Sequence, residues 1–362
     1  MRLLLSCLAL VATTDAHAWQ LPHGIGGWQD WGQGAVRGVT IGPVETSLSP
    51  GRGYGTAAYE RTLDELVDLG ASWVSITPFG RLWSLDSTEI LLDFEAPAGE
   101  NREAVGLAVD QAHERGLRVL LVPHIWVETE GWRGEIDPGD ERSWQEYIDS
   151  YERFLLFWAD VAAEHGADML SIGVECKSWS GRFWPRWSSM IAEVRERTGA
   201  LLTYSANWDE AIDVAFWPLV DLIGINAFYP LADGVDGSYR EGARRVVGEV
   251  QGVAATFDMP VLFVEVGYTT RPAAAIRPWE WPDDMVGVRV DEAEQARAYR
   301  AVLGEYSGPR WLAGIMIWRV YADPDDVSQE ATWGFSPRLK RAEDELREAF
   351  AWTWGADPEP MW

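Results

Sequence analysis

Two short apolar segments of the chain end in a glutamate. Residues 168–175 (DMLSIGVE) end in Glu175, and in residues 260–268 (PVLFVEVGY) Glu265 follows four apolar residues. Such runs are typical of strands buried on both faces of a parallel sheet. A carboxyl group at the C-terminal tip of such a strand lies where barrel enzymes place their chemistry. Two carboxyl groups brought together could act as a general acid and a nucleophile or base.

Around these segments, strands and helices alternate along the whole chain. Apolar runs predict eight strands, at 37–43, 73–79, 117–122, 168–175, 201–205, 222–227, 260–266 and 312–318. Amphipathic spacing predicts a helix after each strand, at 56–69, 102–115, 143–165, 185–197, 210–216, 239–256, 292–306 and 337–350. Eight such units predict an α/β protein with a single (β/α)₈ TIM barrel over residues 37–350.

An open doubly wound sheet would alternate in the same way, but it would normally carry a phosphate-binding turn after its first strand. The glycines at 51, 53 and 55 match neither G-x-G-x-x-G nor a P-loop. We therefore interpret them as a loop, and we expect no nucleotide cofactor.

Composition and charge restrict the partners. The formal net charge of −27 argues against nucleic acids and anionic membrane surfaces, which need a basic face. The histidines are too scattered to predict a metal site. We expect no metal or other cofactor, and a monomer.

The N-terminal segment has the pattern of an export signal. Arg2 precedes an apolar run and then Ala16-His17-Ala18, the pattern of a signal peptide cleaved after residue 18. The protein is therefore expected in the periplasm or outside the cell. Residues 19–36 are expected to form an irregular lead-in, and residues 351–362 a C-terminal tail. The mature chain would keep one cysteine, Cys176, and no internal disulfide.

The other predicted strand tips carry amides, a histidine and many aromatic side chains. The chain contains 22 tryptophans, and aromatic faces stack on sugar rings while amides hold hydroxyl groups. With two carboxyl groups, this is the combination that glycoside hydrolysis needs. The candidate substrate-binding residues are His124, Trp126, Asn207, Trp208, Asn226, Tyr229, Tyr268, Trp279 and Trp318.

Strands four and seven lie on opposite sides of a barrel, so their tips face each other. We expect the carboxyl groups ~5 Å apart, as in retaining enzymes, rather than the ~6.5–9.5 Å of inverting ones. Glu175 would be the acid/base, protonated because of burial and neighbouring charge. Glu265 would be the nucleophile, kept ionised by hydrogen bonds to which Tyr229 would contribute.

Two segments resemble glycoside hydrolase family 113, a clan A family of endo-acting β-1,4-mannanases. Residues 264–282 (VEVGYTTRPAAAIRPWEWP) resemble that family's nucleophile strand and following loop, and residues 202–231 resemble its fifth and sixth strands. Gln295, Tyr299 and Trp318 also fit. The resemblance implies an acid/base at Glu175, a nucleophile at Glu265, and sugar contacts near Asn207, Tyr229, Trp279 and Trp318.

The chain departs from the expected pattern at two positions. Val174 stands where many clan A enzymes have an asparagine that contacts the sugar 2-hydroxyl, so Asn207 becomes a candidate for that contact. Asn226 stands where this family is expected to have an aspartate. The prediction is a retaining endo-glycosidase, with β-1,4-mannan as first substrate. The alternatives are another clan A specificity (β-glucan or β-galactan), a transglycosidase, or a carbohydrate-binding barrel that has lost catalysis.

Overall fold

The computed structural model describes residues 21–22, 25, 35–42, 51–94, 96–280, 286–325 and 330–351. Eight parallel strands close into a barrel in the order β1-β10-β9-β8-β7-β6-β4-β2, with β2 paired back to β1. The predicted (β/α)₈ barrel is confirmed. The signal peptide and nearly all of the lead-in and tail lie outside the described residues, so those predictions remain predictions.

Ten strands are present in the described part of the chain. They are β1 (Val36–Gly42), β2 (Trp73–Ile76), β3 (Phe79–Leu82), β4 (Arg118–Leu121), β5 (His124–Val127), β6 (Met169–Val174), β7 (Leu201–Asn207), β8 (Ile223–Asn226), β9 (Val261–Val266) and β10 (Leu312–Tyr321). The helices there are α1 (Ala57–Leu69), α2 (Ala98–Glu114), α3 (Glu141–His165), α4 (Trp184–Arg197), α5 (Tyr239–Phe257), α6 (Glu292–Tyr306) and α7 (Arg341–Phe350).

The helix predicted at 210–216 is absent; the segment forms turns and leads into a short 3₁₀ turn, Trp217–Leu219. The indole N–H of Trp217 donates to the carbonyl of Ala211 at 2.7 Å, and the amide of Asp213 donates to the carbonyl of Glu210. These contacts occupy carbonyls that a helix would need, and Pro218 follows directly. The last helix also begins four residues later than predicted, at Arg341.

Alternating side chains divide the core into two parts. Along β9, Val261 and Phe263 belong to the large core between barrel and helices, whereas Leu262 and Val264 belong to a second cluster with side chains from β1, β2, β4, β6, β9 and β10. Strand side chains point alternately to opposite faces, so the second cluster fills the barrel interior. A filled barrel leaves only its C-terminal mouth for a site.

The second and third barrel strands continue past the mouth as a separate two-stranded ribbon. β3 pairs with β5 in parallel register, Phe79 opposite His124 and Arg81 opposite Trp126. Because strands β2 and β4 lead directly into β3 and β5, the ribbon rises from the barrel rim. It carries His124 and Trp126 to the mouth.

Register shifts occur where the two glutamates emerge. Between β8 and β9 the pairing shifts after Ile225, so that Asn226 lies opposite Glu265 instead of Val264. A second shift lies between Ser171 and Val174 on β6, directly before Glu175. Such irregularities re-aim side chains near active sites, and here they occur beside both glutamates.

Candidate active site

Glu175 follows the last residue of β6 and lies in the barrel mouth with only 7% of its surface exposed. Its Oε2 accepts hydrogen bonds from the indole of Trp132 at 2.8 Å and from Nη1 of Arg133 at 2.7 Å. The Nε of Arg133 donates to the carbonyl of Ile125 on β5. Arg133 is therefore fixed at both ends of its guanidinium, and it holds the Glu175 carboxylate by an ion pair.

Glu265 lies on β9, inside the same mouth, and is 5% exposed. Burial, reinforced by the charge of Glu175, raises its pKa from 4.5 to about 8, against the opposing charges of Arg133 and Arg319. Burial disfavours the ionised carboxyl, so Glu265 is protonated at neutral pH in the free protein. This differs from the expectation that hydrogen bonds would keep it ionised, because desolvation outweighs them.

Asn226 connects the two glutamates. Its Nδ2 donates to Oε1 of Glu175 at 3.0 Å, and the nearby Asn226 side chain lowers the pKa of Glu265. Asn226 is fully buried at the end of β8 and lies opposite Glu265 in the sheet. The amide therefore binds one carboxyl group and lies beside the other, so the residues predicted at strands four and seven share a single site.

His124 and Trp318 lie beside Glu265. The Nε2 of His124 is 3.8 Å from Oε1 of Glu265, and its ring stacks on Trp318 with centroids 5.9 Å apart. Burial, with the charges of Arg133 and Arg319, holds the pKa of His124 well below its usual value, so the imidazole is neutral. The peptide bond between Trp318 and Arg319 is cis. Trp318 is partly exposed and is available to contact a sugar bound over Glu265, whereas His124 is only 2% exposed.

Exposed aromatic side chains stand on two sides of the mouth. Trp126 on the ribbon is 45% exposed, and the guanidinium of Arg81 lies 5.7 Å from its ring centroid. Across the mouth, beyond β7, Trp208 stacks on the partly exposed Trp279 at 5.4 Å and contacts Tyr229 at 5.5 Å. Both surfaces offer aromatic faces of the kind that bind sugar rings.

Several of the predicted residues have other contacts in the structure. Tyr268 is fully buried, and its ring packs edge-on against Tyr299 of α6. The Asn207 amide donates to Asp209 at 2.7 Å. Among the described residues, no hydrogen bond joins Tyr229 to Glu265; Asn226 has that place instead. Val174 is buried in the barrel interior.

Four residues of the site were not predicted from sequence. Trp132 and Arg133 come from the loop after β5, and Arg319 directly follows Trp318, with its guanidinium 4.8 Å from that ring. Glu210 is a third buried carboxyl near Glu175. The available signals were the position of Arg319 beside a strand tip, and the occurrence of Trp132-Arg133 in a loop at the catalytic end.

Within the described ranges, no group of three or more histidine, cysteine, aspartate or glutamate side chains is arranged to hold a metal ion. The described helices include none that is long and apolar enough to cross a membrane.

Comparison with known proteins identifies one matching family. The family profile of Glycoside Hydrolase Family 113 matches residues 48–332. The fold is similar to a solved GH113 β-1,4-mannanase in a complex, with 22% identity and a TM-score of 0.75 over 88% of this chain and 99% of that one. No curated protein sequence matches the chain.

Two further solved structures extend the comparison. The GH113 β-mannanase of Alicyclobacillus acidocaldarius, in complex with ManMIm, is 26% identical, with a TM-score of 0.75 over 88% of this chain and 97% of that one. A family 5 mannosidase from Rhizomucor miehei is 11% identical, with a TM-score of 0.58 over 88% of this chain and 92% of that one. The second likeness concerns the fold alone.

Proposed function

Because the chain belongs to glycoside hydrolase family 113, we propose that it cleaves β-1,4-mannan internally, with retention of configuration. The observation that carries the mechanism is the arrangement of Glu175, Asn226 and Glu265, in which Asn226 donates to Glu175 and lies opposite Glu265 in the sheet. Two carboxyl groups beside one amide suit double displacement, in which the carboxyl groups are ~5–5.5 Å apart and one of them attacks the sugar directly.

In the proposed reaction, Glu265 attacks the anomeric carbon while Glu175 gives a proton to the glycosidic oxygen. The leaving sugar departs with that proton, and a covalent glycosyl-Glu265 ester forms. Glu175, now ionised, takes a proton from water, which attacks the anomeric carbon and releases Glu265. The position of each glutamate in the barrel, strand four for the acid/base and strand seven for the nucleophile, supports these roles.

This reaction needs one proton shared between the two glutamates. In the free protein burial favours the proton on Glu265, whose pKa it raises to about 8, and Arg133 donates a hydrogen bond to Glu175. Positive charge develops on the sugar as the bond breaks, and it favours the ionised form of the carboxyl that faces it. Approach to the transition state is therefore expected to favour the proton on Glu175 over Glu265, and Asn226 lies beside both carboxyl groups.

The surroundings of the glutamates support a polymeric substrate and internal cleavage. Trp126 stands on one side of the mouth, and Trp208 with Trp279 on the other. An enzyme that removes only terminal sugars needs one closed side, whereas aromatic faces on both sides suit a chain that runs through the site. Mannan is proposed as that chain because solved family 113 structures of similar fold are β-mannanases.

The experiment is a reducing-end assay of residues 19–362 on mannan, glucomannan, cellulose, galactan, xylan and chitosan. Glu265→Ala serves as the inactive variant, and Glu103→Ala, an exposed glutamate on α2, as its matched control. Activity on mannan that is lost only in Glu265→Ala would support the proposal. Activity on another β-glycan would keep the mechanism and contradict the substrate. No activity on any polysaccharide, with oligosaccharide binding intact, would favour the carbohydrate-binding alternative.

The N-terminal pattern supports a proposal on location. Arg2, the apolar run and Ala16-His17-Ala18 suit export and cleavage before Trp19. Expression of the full chain in a bacterium, followed by fractionation and mass spectrometry of the N-terminus, tests this. A mature protein that begins at Trp19 outside the cytoplasm is expected, and an uncleaved cytoplasmic chain would contradict it. Size-exclusion chromatography with light scattering of the same sample tests the expected monomer.

A further inference from the structure

A third buried carboxyl group lies behind the proposed acid/base. Glu210 follows β7, is 1% exposed, and belongs to no ion pair among the described residues. Burial raises its pKa to about 7; the charge of Glu175 adds to the rise, and a hydrogen bond from Tyr204 opposes it. Burying a carboxyl group costs free energy. The two-glutamate mechanism gives no role to Glu210 that would explain why it is buried here.

Tyr204 connects Glu210 to the backbone beside Glu175. The Tyr204 hydroxyl donates to Oε1 of Glu210 at 2.5 Å, and it accepts the backbone N–H of Cys176 at 2.6 Å. A phenol has one proton to donate. With that proton directed to Glu210, the oxygen lone pairs of Tyr204 face the peptide N–H. Glu210 therefore sets the orientation in which Tyr204 holds the peptide bond that follows Glu175.

The backbone at Glu175 needs such support. Its φ angle is +50°, in the strained left-handed region that non-glycine residues rarely adopt. Such conformations persist only when neighbouring contacts determine them. The N–H of Glu175 donates to the carbonyl of Ser205 at 2.8 Å, and the next N–H is the one that Tyr204 holds. This conformation turns the chain at the tip of β6, where the Glu175 side chain reaches Asn226.

The other titratable groups near this arrangement do not compete for the same contact. Burial raises the pKa of the Cys176 thiol to about 12, so the thiol is neutral. Tyr151 lies near that thiol and donates to the carbonyl of Ile172. Lys177 and Asp209 form an ion pair with each other at 2.5 Å. The Tyr204 hydroxyl is thus shared between Glu210 and the Cys176 peptide.

We propose that Tyr204 and Glu210 are positioning residues for the general-acid step. They hold the Glu175–Cys176 peptide so that the Glu175 carboxyl stays aligned with the glycosidic oxygen, without touching substrate themselves. The proposal rests on the acid role given to Glu175 above. Loss of either residue is expected to impair proton donation to the leaving group and to leave attack by Glu265 largely intact.

The test compares two substrates that differ in their need for an acid. With an oligosaccharide the leaving oxygen must be protonated. With a dinitrophenyl glycoside of the same sugar, the dinitrophenolate leaves without a proton. For Tyr204→Phe and Glu210→Leu, kcat/KM is expected to fall by about 10- to 100-fold on the oligosaccharide, and by less than about 3-fold on the dinitrophenyl glycoside. Glu210→Gln keeps an acceptor for the Tyr204 hydroxyl, so both activities are expected to stay within about 3-fold of the original.

A merely structural role would lower both activities by the same factor, because only the folded fraction would change. Equal losses on both substrates for Tyr204→Phe would therefore overturn the proposal, and so would a loss in Glu210→Gln as large as in Glu210→Leu. Tyr59→Phe is the matched control. That tyrosine is also fully buried, and its hydroxyl donates to the carbonyl of Ala108, between α1 and α2; its removal is expected to leave the ratio of the two activities unchanged.

Glu175→Ala separates failure of this proposal from failure of the proposed mechanism. If Glu175→Ala itself loses both activities equally, the acid role of Glu175 is wrong and the positioning proposal falls with it. If Glu175→Ala discriminates between the substrates but Tyr204→Phe does not, only the positioning proposal is overturned. Should Glu210→Leu fail to fold, Tyr204→Phe and Glu210→Gln decide the question alone.

Discussion

The side-chain amide of Asn226 donates a hydrogen bond to Glu175, with 3.0 Å between its Nδ2 and Oε1 of the carboxyl group. The same side chain lowers the pKa of Glu265. Asn226 is thus a neutral donor between two acidic groups. Its place at the end of β8, opposite Glu265 in the shifted register, allows both contacts. The consequences can be measured in the rate, in the pH profile and in stability.

Asn226→Asp keeps the shape of the side chain and replaces the donor by a third carboxylate. The new negative charge is expected to raise the pKa of Glu265 further, since like charges disfavour ionisation. kcat/KM on polysaccharide should fall by about 100- to 1,000-fold, the range for loss of one well-placed donor. Initial rates across pH 5–10 provide the measurement. An Asn226→Asp protein with the original rate and pH profile would show that the amide does not organise the glutamates.

The pH dependence follows from the proton that the glutamates share. In the free protein it is lost as pH rises through the Glu265 pKa of about 8, and the site then holds no acid. kcat/KM on an oligosaccharide is therefore expected to fall above pH 8, and to fall less on a dinitrophenyl glycoside, which needs no proton. A rate that instead rises through pH 8 to a plateau would mean that Glu265 must lose its proton before any reaction. That result would contradict the proposal that the two glutamates share one proton.

The free energy of unfolding should also depend on the pKa of Glu265. The folded-state pKa of Glu265, about 8, exceeds its ordinary value of 4.5, so the folded state binds the proton more tightly than the unfolded state. The stability from this group is complete below pH 4.5 and is lost as pH rises to about 8. Glu265→Gln removes this loss, and its free energy of unfolding should exceed that of the original protein by about 4 kcal/mol at pH 8, with little difference at pH 4.5.

Urea unfolding at the two pH values provides that measurement, with Glu103→Gln as the control for loss of an exposed glutamate. A Glu265→Gln protein whose stability relative to the original is the same at both pH values would show that burial does not hold a proton on Glu265.

The position of Trp126 predicts that its contribution to kcat/KM depends on substrate length. Its ring stands on the ribbon, away from the glutamates, and contacts Phe79 and Arg81. Trp126→Ala should lower kcat/KM on a hexasaccharide on the order of 10-fold, and on a short aryl glycoside hardly at all, since a short substrate does not reach the ribbon. Trp184→Ala, an equally exposed tryptophan at the start of α4, is the matched control. Equal effects of Trp126→Ala on both substrates would remove Trp126 from the substrate path.

Much of the barrel could be predicted from sequence because its strands are continuous apolar runs. The same feature singled out Glu175 and Glu265, since a charge at the end of such a run is unusual. The pairing of Asn226 with Glu265 could not be predicted in this way, because it depends on a register shift after Ile225. Sheet register is decided by packing between strands, which a single strand's pattern does not contain.

Residues outside the regular elements were harder to place. Arg133 acts from a loop, where periodicity carries no signal. Tyr268 was expected in the cleft, but alternation cannot be counted beyond Val266, where β9 ends, and the ring lies against α6 instead. Glu210 was assigned to the start of a helix that does not form. Its burial beside Tyr204 could therefore not be predicted from the sequence.

The central claim is that Glu265 forms a covalent bond with the sugar, and trapping that intermediate tests it most directly. The protein would be incubated with a 2-deoxy-2-fluoro glycosyl fluoride of the sugar that it accepts, because the fluorine slows the second step more than the first. Mass spectrometry of proteolytic peptides would then locate the label. The account predicts one sugar per chain, attached to Glu265, and no label in Glu265→Ala. A label on Glu175, or continued turnover of the substrate without any label, would contradict it.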